Sequence, residues 1–324
     1  MSGFLPAFIE VATASADPTD PTGSADPARA THPTRVALVA HGILGSASNW
    51  RSFIRKLVDT DALAATFRWL LVDLRHHGSS SASVERPPLP DTVLSCAKDL
   101  VALTDSLGVT PTLSLGHSFG GKVVLAHADH LVTTGRTPPR GVWLLDSSLS
   151  PEDVSANASR DGASTGDDVA RVIAALRTIA LPIESREALV TTLRDMGFSL
   201  GLSQWMTTNV QGRAGPGYRW RFDLDGIEAL ISDYFATDAW AMVASVAARA
   251  RVGVVRGGKS DRVSDSDATR LGTMPGVEVH TLAEAGHWVH VDDPDGLRRL
   301  FVRAVADAVA DQVEDQVADE IVSV

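Results

Sequence analysis

The chain has 324 residues, of which 44% are hydrophobic and 21% charged, and its formal net charge is −11. That suits a globular protein with a sizeable core, built as one large domain with an insertion or as two small domains. The acidic balance and the scattered Lys and Arg residues exclude nucleic acid or an anionic membrane as the main partner, because such binding needs a basic patch.

A single cysteine, Cys96, rules out an intrachain disulfide and fits a reducing intracellular compartment, cytoplasmic or organellar. Its helical surroundings make it a small core residue rather than a second nucleophile. No run of 18 apolar residues occurs, so no integral membrane segment is expected. The opening MSGFLPAFIEV has no basic region, so a secretory signal is not expected either. Nothing in the pattern sets an oligomeric state.

Residues 1–34 read as a flexible N-terminal segment. Phe8 to Val11 fits a first strand, and the Asp/Pro/Thr-rich stretch 13–34 cannot bury a core. Arg35 to Ala40 is a continuous apolar run that ends at His41-Gly42. Similar runs follow at Trp69–Asp73, Thr112–Gly116, Gly141–Asp146, Val252–Gly257 and Val277–Thr281. Continuous apolarity suits strands buried on both faces of a parallel sheet. Helical spacing predicts helices between them at Ser48–Thr60, Asp91–Leu107 and Gly120–Val132. The alternation predicts an α/β fold: a mostly parallel central sheet flanked by helices.

The alternation stops over 151–250, where only helical patterns are read, at Asp168–Ala180, Ser185–Met196, Leu200–Thr208 and Asp225–Phe235. This segment is expected to form a helical cap inserted in a core made of 35–150 and 251–310. A helix is expected from Asp295 to about Val309, and 311–324 is an acidic C-terminal extension.

Gly116-His117-Ser118-Phe119-Gly120 matches G-x-S-x-G. The five residues alone are a weak signal, but here they follow a strand and open a helix, as a nucleophile elbow requires. Ser118 is the candidate nucleophile, and the glycines leave room for the neighbouring strand and helix. The plain alternative is an ordinary glycine-containing turn. His287, in Ala285-Gly286-His287-Trp288, follows the last strand and is the candidate general base, with His290 as competitor. Two carboxylates compete for the acid. Asp146 ends the fourth run at the sheet's carboxyl edge, and Asp261 follows the fifth, where the expected spacing falls on Ser260. Asp146 is preferred. Either could instead cap a helix or turn.

The loop His41-Gly42-Ile43-Leu44-Gly45 and the residue after the nucleophile are the expected oxyanion donors: the amides of Phe119 and Ile43, with Leu44 as alternative. His41 is expected to brace that loop, and with His117 and Trp288 to stand at the pocket wall. In the cap, Leu176, Ile179, Leu189, Phe198, Trp205 and Met206 either line an acyl pocket or pack the cap onto the core.

Taken together, HGILGSASNW, DLRHHGSS, GHSFGGKV, LLDSS, YRWRFDLDGI and AGHWVHVDDP resemble the α/β-hydrolase superfamily across about residues 35–310. Within it they are similar to α/β-hydrolase domain-containing protein 11 and bacterial YbfF-like esterases. The resemblance implies a Ser-His-Asp hydrolase that cleaves small-molecule acyl esters or thioesters through an acyl-enzyme, with no metal and no organic cofactor. In that subgroup the acid is thought to lie at the strand end, which implies Asp146. Asp225 is a remote candidate. A lyase or cofactor-free haloperoxidase-like enzyme on the same scaffold, with Arg160, Arg213 and Arg219 as carboxylate holders, is the first competing reading. A non-catalytic small-molecule binding protein is the second.

Overall fold

The computed structural model describes residues 4–12, 35–82, 87–152, 169–212 and 217–322. The 13–34 stretch, Arg160 and Arg213 lie outside the described residues, and side chains are described only as far as 311. Seven strands form one sheet. They are β1 (Phe8–Val11), β2 (Arg35–Ala40), β3 (Phe67–Val72), β4 (Leu113–His117), β5 (Gly141–Leu145), β8 (Arg251–Gly257) and β9 (Val277–Leu282). Their spatial order is β1-β3-β2-β4-β5-β8-β9. Only β1 runs antiparallel, against β3.

The register aligns the carboxyl ends of the strands. Ala40 pairs with Gly116, His117 with Leu145, Leu145 with Val255, and Gly257 with Leu282. The loops after β2, β4, β5, β8 and β9 therefore leave along one edge. Sequence order reverses between β2 and β4, which makes that point the place where open α/β sheets hold ligands.

Each face of the sheet has its own apolar layer. On one side α1 (Ser48–Thr60) and α11 (Pro294–Val322) bury Trp50, Ile54, Leu297 and Phe301 against Trp69, Leu71 and Trp143. On the other side α2 (Val93–Leu107) and α3 (Phe119–Thr133) bury Leu100, Leu103, Val123 and Val124. Cys96 is fully buried in this second layer, and burial pushes its thiol well up, so it is a core residue.

Between β5 and β8 the described chain forms α4 (Val169–Thr178), α5 (Arg186–Asp195), α6 (Leu200–Met206), α7 (Leu224–Ala236) and α8 (Trp240–Ala247). The segment is not purely helical as read from sequence. Val210–Gly212 (β6) and Tyr218–Trp220 (β7) pair as a short antiparallel ribbon. Three-residue strands are too short to show a period of two, which is why the pattern hid them. Trp240–Ala247, for which no helix was read, packs against α3 and β8. Two further short helices complete the core, α9 (Asp265–Gly272) and α10 (Val289–Asp292).

Candidate active site

Ser118 stands between β4 and α3 with φ 51° and ψ −118°. A non-glycine residue at positive φ costs of order 1–3 kcal/mol and persists only where its surroundings impose it. Here two close backbone approaches impose it. A Cβ at Gly116 would lie 2.0 Å from Gly120 O, and one at Gly120 would lie 2.5 Å from His41 O. Only glycine fits at either place, so the turn is sharp and Ser118 is lifted to the sheet edge. The loop after β2 crosses directly beside it, since a Cβ on Gly42 would lie 3.4 Å from Ser118 Cβ.

The amides of Phe119 and Ile43, the expected oxyanion donors, lie in the turn after β4 and in the loop after β2. Phe119 N–H belongs to the first turn of α3, where helix amides have no intrahelical acceptor. Among the described residues neither Phe119 N–H nor Ile43 N–H has an acceptor. Leu44, the alternative donor, is corrected. Its N–H donates to His77 Nε2 at 3.1 Å, so it is committed elsewhere. His77 can accept because its Nδ1–H donates to Arg75 O at 2.8 Å and burial holds the ring neutral, well below the usual histidine range. His77, in the DLRHHGSS loop after β3, is thereby a brace of the loop after β2.

His41 braces this loop. Nδ1–H donates to Gly42 O at 2.8 Å, and Nε2 accepts from Leu74 N–H at 3.1 Å. Both ring nitrogens are engaged and the residue is buried. Asp73 braces the same region by accepting from Ala47 N–H at 2.7 Å and Ser79 N–H at 2.8 Å. From the cap, Asn209 Nδ2 donates to Leu44 O at 2.7 Å.

The loop after β9 brings His287 to the same edge. Its Nδ1 donates to Asp146 Oδ2 at 2.7 Å. Asp146 is fully buried and also sits at positive φ, 49°. Its Oδ1 accepts from Gly257 N–H at 3.0 Å, and Oδ2 accepts from Ser260 Oγ at 2.5 Å. Three donors thus converge on one buried carboxylate, which is the satisfaction such a group needs. Asp261 points away. Its side chain is 94% exposed and lies 3.7 Å from Arg262. Asp225 is an exposed partner of Arg177 at 2.8 Å, remote in role as well as in place.

His117 donates Nε2–H to His287 O at 2.8 Å, and the two rings lie 4.8 Å apart. Burial and the neighbouring histidines hold His117 neutral. It supports the His287 loop. Among the described residues no hydrogen bond joins Ser118 Oγ to His287. The competitor His290 is stacked on Trp50 at 4.5 Å, and burial brings its ring down to about 4. It is a packed, neutral residue.

The two tryptophans meet. Trp205 on α6 and Trp288 beside His287 have ring centres 5.6 Å apart, across the seam between cap and core. Leu176, Leu189, Phe198 and Met206 are each at most 1% exposed within one apolar cluster, and Ile179 packs against it. Arg219 is exposed on β7. Among the described residues no cluster of His, Cys, Asp and Glu is arranged to hold a metal ion, and no helix is long and apolar enough to cross a membrane.

The alpha/beta hydrolase family model matches residues 37–300. The chain belongs to that family. It is 27% identical over 261 residues to the mouse sn-1-specific diacylglycerol lipase ABHD11, covering 78% of this chain and 75% of the lipase. It is 25% identical over 279 residues to the esterase YbfF of Escherichia coli, covering 85% and 95%. Among solved structures, a marine microorganism esterase superposes with a TM-score of 0.70 at 20% identity, covering 93% of this chain and 99% of that one. The resemblance read from the motifs and the α/β-hydrolase fold are both borne out.

Proposed function

We propose that this hydrolase is a serine esterase acting on acyl esters or thioesters. The observation that carries the reading is the buried Asp146–His287 pair at 2.7 Å, on the sheet edge that also lifts Ser118 into a positive-φ turn. Relatives named as an esterase and as a lipase support the same class.

In this reading Ser118 Oγ attacks the acyl carbon while His287 Nε2 takes its proton. Serine–histidine contacts commonly tighten only when substrate binds. The carbonyl oxygen becomes an oxyanion and accepts from the free amides of Ile43 and Phe119. The tetrahedral species collapses, and the alcohol or thiol leaves with the proton held by His287. Water then gives a proton to His287 and attacks the acyl-enzyme. Collapse releases the carboxylic acid and returns the proton to Ser118. Asp146 fixes the tautomer of His287 and stabilises its charged form. Trp205 and Trp288 form an apolar wall at the cap seam for the acyl chain.

The test is labelling with a fluorophosphonate, read by intact mass, on wild type, Ser118→Ala and His287→Ala. One adduct on wild type that both variants lack is expected, followed by turnover on a panel of esters and thioesters. A folded wild type with no adduct overturns the reading and moves weight to a binding protein. An adduct without turnover of any ester or thioester points to another reaction at the same serine.

A further inference from the structure

Lys122 lies one helical turn beyond Ser118 on α3, and its side chain is fully buried. A buried ammonium costs several kcal/mol unless its hydrogens are all placed. Nζ donates to Tyr234 O at 2.7 Å and to Thr237 O at 2.8 Å, and lies 4.3 Å from the centre of the Tyr234 ring. Both carbonyls belong to the end of α7, where helix carbonyls are orphaned and the dipole is negative. A cation there answers both needs.

Tyr234 itself touches two parts of the proposed site. Its ring lies 5.9 Å from that of Phe119, and its hydroxyl accepts from Ser148 N–H at 3.1 Å, two residues beyond Asp146. The same spot is where the chain passes between core and cap. Glu152 N–H donates to Phe235 O at 2.8 Å and Ala239 N–H to Leu149 O at 2.9 Å. A purely apolar side chain would fill the space on this face of α3 without the desolvation cost, but it would leave both carbonyls unbonded.

We propose that Lys122 is a positioning residue for the hydrolysis. It clamps the end of α7 onto the elbow helix and, through Tyr234, sets the Phe119 amide and the turn that carries Asp146. This rests on the esterase reading above.

The experiment compares wild type, Lys122→Met, Tyr234→Phe and the double variant. Folding is checked by far-UV circular dichroism and thermal midpoint. Reactive serines are counted with a fluorophosphonate, and kcat and KM for a short p-nitrophenyl ester are taken per labelled site. Lys122→Met is expected to lower kcat per site ~10–100-fold, the scale of a displacement of about 1 Å, with KM changed less than about twofold. Tyr234→Phe should move kcat the same way, and the double variant should be no worse than Lys122→Met. Unchanged kcat in folded Lys122→Met, or losses that multiply in the double variant, overturns the proposal. If Lys122→Met does not fold, Tyr234→Phe decides, because it keeps the lysine and its packing; unchanged kcat there overturns the proposal. Wild type that is not labelled at Ser118 overturns the esterase reading itself, whereas labelled wild type with unaffected variants overturns only the role of Lys122.

Discussion

Asp146 Oδ2 lies 2.7 Å from His287 Nδ1, and the carboxylate that makes this contact is fully buried. Asp146→Asn puts an amide where an acceptor is needed and leaves the imidazole in the wrong tautomer. Its kcat on a p-nitrophenyl ester should fall about 10³–10⁴-fold. Asp261→Asn changes a side chain that is 94% exposed and should stay within about twofold of wild type. The opposite ranking would move the acid to the loop after β8.

Asn209 joins the cap to the loop that carries Ile43. Its Nδ2 donates to Leu44 O at 2.7 Å, and the residue is buried. Asn209→Ala leaves that carbonyl unbonded. Stability should fall by about 1–3 kcal/mol in urea unfolding. kcat should fall as well, because the loop loses a fixed point. Full activity with reduced stability would show that the loop holds its shape without the cap.

His127 is fully buried on α3, and neither ring nitrogen has a hydrogen-bond partner among the described residues. Burial brings it down to about 4, against 6.5 in an unfolded chain. Between those pH values the unfolded chain binds the extra proton, so stability is lost as pH falls from 6.5 towards 4. The loss from this residue is about 3 kcal/mol. His127→Phe should flatten the pH dependence of urea unfolding over that window without lowering stability at pH 7. An equally steep profile in the variant would assign the acid sensitivity to His77, His117 and His290, which burial also shifts down.

Lys122 acts on the alkaline side. Burial, opposed by Glu152, Asp238 and Asp233, brings its ammonium from 10.5 to about 8. Between pH 8 and 10.5 the native protein has released a proton that the unfolded chain still holds. Stability from this group therefore rises with pH across that window, by up to about 3 kcal/mol. Urea unfolding of wild type and Lys122→Met at pH 7.5 and pH 10 reads it directly. The wild type should gain relative to the variant at the higher pH. No relative gain would mean that the lysine keeps its proton throughout.

Much of the scaffold is legible in the sequence. Val36–Val39 and Val142–Leu145 are apolar on every residue because both faces of their strands are covered, and that leaves a mark in a window of a few residues. The elbow around Ser118 was legible for the same reason, since the glycines that permit it are neighbours in the chain. The ribbon Val210–Gly212 with Tyr218–Trp220 was not, because strands of three residues carry no period. Nor could local pattern show that Asp146 rather than Asp261 meets His287, or that Leu44 N–H is taken by His77 while Ile43 N–H has no acceptor among the described residues. Those outcomes depend on which loops meet at the carboxyl edge of the sheet. Asp146 and His287 stand 141 positions apart in the chain and Leu44 and His77 stand 33 apart. Local pattern along the chain fixes the strands of the main sheet, the elbow and the residue types at its edge. The tertiary structure decided which of their donors and acceptors were used in bracing the loops and which were left free, because a hydrogen bond is set by position to within a few tenths of an ångström and no spacing along the chain specifies that.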